Sequence, residues 1–94
     1  MKTIIVTVTN EKGEFCEDLE VPMDLELKKL KEDIIQTLEG WRPELYLDYF
    51  QTEVKHGRTG CTLKEEDTLE EAGVWNGDYI ILEKKRVRDV NLKG

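Results

Sequence analysis

Two cysteines and one histidine are the side chains of this sequence best suited to nucleophilic chemistry. Cys61 lies five residues after His56, so the imidazole is a candidate base for converting that thiol to a reactive thiolate. Cys16 has no such neighbour in the sequence. No third group is evident that would orient the histidine ring. We therefore interpret His56 as an exposed loop residue and Cys61 as an incidental thiol, and we expect no enzymatic activity.

Metal and phosphate chemistry also lack the residues that they require. Neither cysteine belongs to a Cys-x-x-Cys pair, and His56 has no second histidine with which to complete a zinc site. The segment Gly57-Arg-Thr-Gly60 is too short for a phosphate-binding loop and lacks its lysine. The carboxylates are scattered, whereas acid–base catalysis needs two of them in different environments of one cleft. The sequence predicts no catalytic residue, no metal and no cofactor.

Size and charge restrict the partners that such a chain can bind. The 94 residues amount to one domain, with 38% hydrophobic and 37% charged residues. The formal net charge of −7 would repel phosphate backbones, so we expect no nucleic-acid partner. The apolar run Ile4-Ile5-Val6 is too short for a signal peptide, and no stretch approaches the roughly 20 apolar residues of a membrane span. We expect a cytoplasmic protein with free thiols and no direct membrane insertion.

The N-terminal part of the chain predicts a β-hairpin followed by a helix. Residues 2–9 and 14–21 are rich in β-branched or alternating apolar residues and favour two strands joined by a short turn. Whether Phe15 or Cys16 faces the core stays open, since it depends on a bulge. A helix is predicted over 25–39, with Asp24 as its N-cap and Gly40 as the residue that ends it. Its apolar face consists of Leu27, Leu30, Ile34 and Leu38.

The C-terminal part predicts two more strands. Residues 45–50 are apolar and favour a third strand, and the polar segment 51–67 is expected to be a long loop with at most a short strand around Val54. Thr68 and Glu71 have the spacing of a capping box. Residues 76–78 predict a turn into a final strand over 79–83. Beyond it, residues 86–94 are expected to form a flexible charged tail.

The order of these elements predicts an α+β protein of β-grasp architecture. A four- or five-stranded mixed sheet would pack one face against one main helix, and the last strand would lie beside the first. The domain would span residues 1–85.

The spacing of the apolar residues resembles that of ubiquitin-like proteins over about residues 2–83. Leu19 to Ile34 carry the core spacing of the second strand and helix, and Glu39-Gly40-Trp-Arg-Pro43 looks like the exit from the ubiquitin helix. The segment from Leu69 through Asn76-Gly77-Asp78 to Leu82 resembles the end of the YukD/EsaB family, small bacterial ubiquitin-like proteins associated with type VII secretion. The resemblance implies a cytoplasmic accessory that binds the secretion machinery without covalent attachment, near its membrane-anchored ATPase.

The end of the sequence bears on the rival functions. Covalent modifiers and sulfur carriers of this fold end in Gly-Gly, because the terminal carboxylate must enter a narrow channel to be activated. This sequence ends Lys93-Gly94 and contains no two adjacent glycines. We therefore expect a non-conjugating protein. The alternatives are a covalent modifier or sulfur carrier, and a regulatory subunit of another bacterial assembly such as a toxin or phage system.

A binding face follows from the alternation of side chains along strands. If Ile80 and Leu82 point toward the helix, their neighbours point to the open face of the sheet. Exposed apolar clusters rimmed by charge are candidate interfaces. A homodimer, the tail or the 51–67 loop could cover the same surface instead. The predicted protein-binding residues are Ile5, Tyr46, Tyr79 and Ile81.

Overall fold

Within the residues that the structure describes, four strands and one α-helix build the fold. The computed structural model describes residues 2–45 and 47–85. Strands β1 (Thr3–Asn10) and β2 (Cys16–Pro22) form an antiparallel hairpin, helix α1 spans Leu27–Trp41, and strands β3 (Thr52–His56) and β4 (Tyr79–Lys84) follow. The sheet order is β2-β1-β4-β3, with β4 parallel to β1 and antiparallel to β3. The predicted mixed sheet on one helix is confirmed.

The core lies between α1 and one face of the sheet. Every second residue of β1 is buried, namely Ile4, Val6 and Val8, and this alternation fixes which face the helix covers. The predicted apolar face of α1 is buried against them. The remaining core side chains are apolar residues of the hairpin loop, of the other strands and of the segment before β4: Phe15, Leu19, Val21, Val54, Leu69, Val74, Ile80 and Leu82.

The hairpin buries Phe15 and exposes Cys16, which answers the question that the sequence left open. Gly13 has a φ of 68°, which favours glycine, and its N–H donates to the Asn10 carbonyl at 3.0 Å. The Thr9 hydroxyl donates to the Phe15 carbonyl at 2.7 Å and turns this residue inward just before β2 begins. Both cysteines are exposed and free.

The start of α1 differs from the prediction. Asp24 is not the N-cap; that position is Glu26, whose side chain makes no capping hydrogen bond. Backbone carbonyls of a later loop take the place of a side chain, since the Leu27 and Lys28 N–H groups donate to the carbonyls of Asp67 and Glu65 at 2.8 and 3.1 Å. The cap is therefore a long-range contact, which local sequence cannot show.

The end of α1 also differs. Gly40 does not terminate the helix but lies within it, and Trp41 is its last residue. The Arg42 N–H still donates to the Leu38 carbonyl at 2.7 Å. Pro43 then begins a single turn of 3₁₀ helix, Pro43–Leu45, because a proline has no N–H with which to continue the α-helical ladder.

The prediction of a third strand over 45–50 is wrong. Residues 43–45 and 49–51 are 3₁₀ turns, and the Asp48 carboxylate begins the second by accepting from the Phe50 N–H at 3.0 Å. Leu45 and Leu47 are partly buried against the core without belonging to a strand. The short strand around Val54 is real: it is β3, paired with β4 through Val54 and Leu82.

Lys31 is buried, which the sequence did not predict. Its side chain is 2% exposed, and Nζ donates to the Thr52 carbonyl at 2.9 Å and to the Glu65 carboxylate at 3.0 Å. The ammonium also lies 4.2 Å from the centre of the Tyr49 ring. The hydrogen bond and charge of Lys31 hold the pKa of Glu65 below its ordinary value. The lysine thus joins α1, β3 and the loop that caps the helix.

The domain boundary at residue 85 and the charged tail stay predictions, because residues 86–94 lie outside the described residues. Among the residues that the structure does describe, none of the helices is both long and apolar enough to span a bilayer.

Candidate protein-binding surface

The face of the sheet opposite α1 carries apolar side chains that no helix covers. Ile5 is 49% exposed and Tyr79 is 44% exposed, and Ile81 is half-buried beside them. All three alternate with core residues on β1 and β4, so they point away from the helix as predicted. Tyr46 lies outside the described residues, and the strand on which its outward direction was argued does not form in the residues around it.

Strand pairing places these side chains on one face of two adjacent strands, with Tyr79 nearer to Ile5 than Ile81 is. In the parallel pair, Thr7 lies opposite Tyr79 and Thr9 lies opposite Ile81, while Ile5 is two residues before Thr7 on the same face. Lys55 of β3 lies opposite Ile81 and pairs with Glu83 at 2.9 Å. The middle of this face therefore combines apolar side chains with threonines, and charged side chains border it.

The turn Asn76-Gly77-Asp78 fixes the position of Ile5. The Ile5 N–H donates to the Asn76 side-chain oxygen at 2.8 Å, and the Gly77 N–H donates to the Ile5 carbonyl at 2.8 Å. Gly77 has a φ of 90°, a conformation that side chains other than glycine rarely adopt. The turn thus continues the ladder of β4 alongside β1. Its three residues act as structural elements of the surface.

Asp78 ties the turn before β4 to the end of β3 and the loop after it, at the base of the surface. Its carboxylate accepts from the Trp75 N–H at 3.0 Å and from Arg58 Nε at 3.1 Å, and it lies 2.9 Å from His56 Nε2. Burial disfavours the charged form, but the Arg58 guanidinium, the Trp75 N–H and His56 outweigh it and hold the pKa of Asp78 well below its ordinary range. Asp78 is therefore a fixed negative charge.

His56 is not an exposed loop residue, which corrects the sequence interpretation. It is 2% exposed at the end of β3, and Asp78 is the third group that orients its ring. Its backbone N–H donates to the Cys61 carbonyl at 2.9 Å, whereas its Nε2 faces the Asp78 carboxylate. Nε2 is therefore engaged in a structural contact and is not directed to a thiol.

Two exposed aromatic residues border the turn. Trp75 is 64% exposed, and the Arg58 guanidinium carbon lies 4.3 Å from its ring centre. Arg58 Nη2 also donates to the Gly73 carbonyl at 3.0 Å. The Tyr79 ring lies over Gly57, where an added Cβ would come within 2.2 Å of it. Both rings are thus held in place before any partner binds, which lowers the entropic cost of binding.

Comparison with solved structures identifies the architecture. A ubiquitin of Caldiarchaeum subterraneum superposes with a TM-score of 0.70 at 21% identity, covering 92% of this chain and 98% of that one. The fold is the ubiquitin-like β-grasp. The ubiquitin-like domain of the Mycobacterium tuberculosis type VII secretion system protein ECCD1 gives a TM-score of 0.71 at 20% identity, covering 89% of this chain and 100% of that one. The EccD5 ubiquitin-like domain of Mycobacterium xenopi gives 0.74 at 12%, covering 94% and 100%.

No protein-family model and no curated protein matches the sequence. At these identities the structural likeness shows the ubiquitin-like fold, and the chain's own surface must supply the functional argument.

Two further residues of the open face were not among the predicted binding residues. Asp18 and Glu20 are exposed on β2 and lie opposite Thr7 and Ile5 of β1. The signal was available, because both alternate with the core residue Leu19 and must therefore share the open face with Ile5.

Proposed function

We propose that the chain is a non-catalytic, non-conjugating protein-interaction module that binds a protein partner through the open face of its sheet. The observation that carries the proposal is the exposure of Ile5 and Tyr79 on adjacent strands, both fixed by the turn and loop beneath them. Apolar and aromatic side chains that are rigid and exposed are typical of interface anchors. Tyr46 and Ile81 complete the proposed contact.

We further propose that the module is a cytoplasmic accessory of a bacterial type VII secretion system and that its partner is the membrane-anchored ATPase of that system. Two independent observations support this role. The sequence from Leu69 to Leu82 resembles the end of YukD/EsaB proteins, and the fold matches two ubiquitin-like domains from mycobacterial EccD proteins, one of them a type VII secretion system protein.

Affinity purification from the cells that encode the protein tests both proposals. The full chain carries an N-terminal tag and is compared with the double variant Ile5→Ser/Tyr79→Ser. Phe50→Ser is the matched control, since Phe50 is 77% exposed in the 3₁₀ turn before β3. Native eluates are identified by mass spectrometry, and a denaturing gel of the same samples shows any covalent attachment.

We expect the wild type and Phe50→Ser to recover the secretion ATPase and the double variant to lose about tenfold or more, the typical effect of removing interface anchors. Equal recovery with all three proteins would show that the open face is not the interface. Recovery of a different assembly would favour the regulatory-subunit alternative. Tagged bands of higher mass that survive denaturation would favour the covalent modifier.

A further inference from the structure

Two carboxylates lie beside the exposed apolar residues and are held there by threonines. The Thr3 hydroxyl donates to Glu20 Oε2 at 2.6 Å, and the Thr7 hydroxyl donates to Asp18 Oδ1 at 2.7 Å. Glu20 lies directly opposite Ile5 in the antiparallel pair, so their Cβ atoms are about 5 Å apart. The hydroxyls orient the carboxylates on the open face but leave their charge in place.

Among the described residues, these two carboxylates have no cation beside them, in contrast to Glu17 and Glu83 of the same sheet. Glu17 of the same strand lies 3.8 Å from Arg42, and Glu83 of β4 lies 2.9 Å from Lys55. Within residues 2–45 and 47–85, no lysine, arginine or histidine nitrogen lies within 4.0 Å of Asp18 or Glu20. The β2 side of the face is therefore negative. On the β3 side, Lys55 neutralises Glu83, and Glu53 has no cation within the same distance among the described residues.

We propose that the partner presents a basic segment to this face, with an apolar side chain on Ile5 and Tyr79 and two lysines or arginines on Asp18 and Glu20. The proposal rests on the proposed function, because it names the chemistry of the partner that binds the same face. Charge complementarity is the reason: two oriented carboxylates without cations favour positive charge and disfavour an acidic partner or an anionic membrane.

The spacing of the carboxylates defines the segment further. Asp18 and Glu20 are two residues apart on one strand, which places them about 6–7 Å apart along β2. Basic residues at alternate positions of an extended segment have the same separation. The residue between the two basic residues points to the opposite side of the extended segment. Its apolar side chain therefore reaches across β1 toward β4.

A pair of short peptides tests this inference on the full chain. The acetylated, amidated peptides Lys-Leu-Lys-Leu-Lys and Glu-Leu-Glu-Leu-Glu have the same apolar residues and opposite charge. Each is titrated into the isotope-labelled protein, and the amide resonances that shift identify the contacted residues. The test variant Asp18→Asn/Glu20→Gln keeps the acceptors for the threonines. The control variant Glu32→Gln/Asp33→Asn makes the same change of net charge, from −7 to −5, on the exposed side of α1.

We expect the lysine peptide to shift the resonances of Ile5, Asp18, Glu20 and Tyr79 and to bind the test variant about three- to tenfold more weakly than the wild type, as expected for two exposed ion pairs. The control variant should bind within about twofold of the wild type. Raising the salt from about 20 to 200 mM should also weaken binding.

Three results would overturn the inference. Equal binding of both peptides at Ile5 and Tyr79 would show an apolar face without charge preference, and this result would leave the proposed function standing. Binding of the lysine peptide elsewhere, for example at the acidic segment 65–71, would show that Asp18 and Glu20 are not selective. No shift with either peptide would show that the face does not recognise a basic apolar segment.

Discussion

Replacing Asp78 with asparagine should destabilise the protein more than replacing any other surface carboxylate with its amide. The carboxylate accepts from three donors: the Trp75 N–H of its own turn, and the Arg58 guanidinium and the His56 ring from the end of β3 and the loop after it. An asparagine side chain would keep the shape but lose the charge and one acceptor oxygen. The loops that hold Trp75 and Arg58 would then lose their common anchor.

The magnitude follows from the number and exposure of these contacts. A hydrogen bond to a charged group contributes about 1.5–3 kcal/mol. Asparagine retains one acceptor. Because the Arg58 side chain is 42% exposed, its guanidinium can bind water after the substitution, so its contact contributes less to the free energy of unfolding. The side chain of Asp78 is only 11% exposed, so the loss around it is not compensated by solvent. We expect a loss of about 2–3 kcal/mol, which corresponds to a Tm lower by roughly 10–20 °C for a chain of this size.

Urea unfolding at neutral pH measures this loss, with Asp33→Asn as the control. Asp33 is an exposed carboxylate on α1, and its replacement makes the same change of charge. We expect the control to stay within about 0.5 kcal/mol of the wild type. If Asp78→Asn also stays within that range, the contacts of Asp78 do not stabilise the fold and our reasoning is wrong.

The pH dependence of the same difference gives a second check. Because the pKa of Asp78 is lowered in the folded protein, its carboxylate contributes stability that is complete above the unfolded pKa of about 4 and is lost as the pH falls toward the folded value. The difference between the wild type and Asp78→Asn should therefore be constant from about pH 5 to 7 and shrink below about pH 4. A difference that grows in acid would contradict the assignment of the stabilising form to the carboxylate.

Three further experiments distinguish residues whose contacts stabilise the fold from exposed residues that do not. Gly57→Ala should lower the Tm, since the new Cβ would lie 2.2 Å from an aromatic ring. In Gly40→Ala the new Cβ meets nothing within 4 Å, and this substitution should raise stability by about 0.5–1 kcal/mol. Tm shifts of the same sign in the two variants would contradict this expectation. Lys31→Met should cost about 1–3 kcal/mol in urea unfolding because a buried carbonyl loses its donor, and an unchanged midpoint would be inconsistent with that role. Thr68→Ala should lower the free energy of unfolding by about 1 kcal/mol, because it removes the capping-box hydrogen bond of that hydroxyl. Asp24→Ala should stay within about 0.5 kcal/mol of the wild type. The reverse order in thermal unfolding would indicate that Asp24 does cap α1.

The strands and the helix that bury one face could be predicted because their apolar residues recur with the period of a strand or a helix. Alternation in β1 placed Ile4 and Ile5 on opposite faces, and the apolar positions of α1 placed Leu27 and Leu38 on one side. The capping box of Thr68 was also predictable, since its two hydrogen bonds join residues three apart. These signals depend on neighbours within a few residues, so no tertiary structure is needed to detect them.

The segment after the helix could not be predicted in the same way. Residues 45–50 have strand-like composition, but the proline that follows α1 and the cap formed by Asp48 favour short 3₁₀ turns. The chain enters the sheet only at Thr52, where β4 offers a partner. Strand propensity indicates a residue that suits a pleated, half-buried surface, and it does not determine whether a neighbouring strand is present.

The buried polar contacts were beyond the sequence for a related reason. Lys31 and Glu65 are 34 residues apart, and His56 and Asp78 are 22 apart. A lysine on a helix and a histidine before a glycine are usually exposed, and only the fold brings to each the carboxylate that permits burial. The sequence offers no periodic signal for such pairs.

The division between structural and exposed residues also bears on what the YukD-like segment can reveal. Its Asn76, Gly77 and Asp78 are committed to the backbone of β1 and to His56 and Arg58, so any ubiquitin-like chain that builds this turn gains the same contacts whatever it binds. Residues that select a partner must instead be exposed and free of such internal commitments. Here Ile5 and the carboxylates of β2 lie outside the resembling segment, whereas Tyr79 and Ile81 lie within it. The Asn76-Gly77-Asp78 turn therefore determines how the surface is built, whereas the charge beside Ile5 bears on which partner the surface accepts.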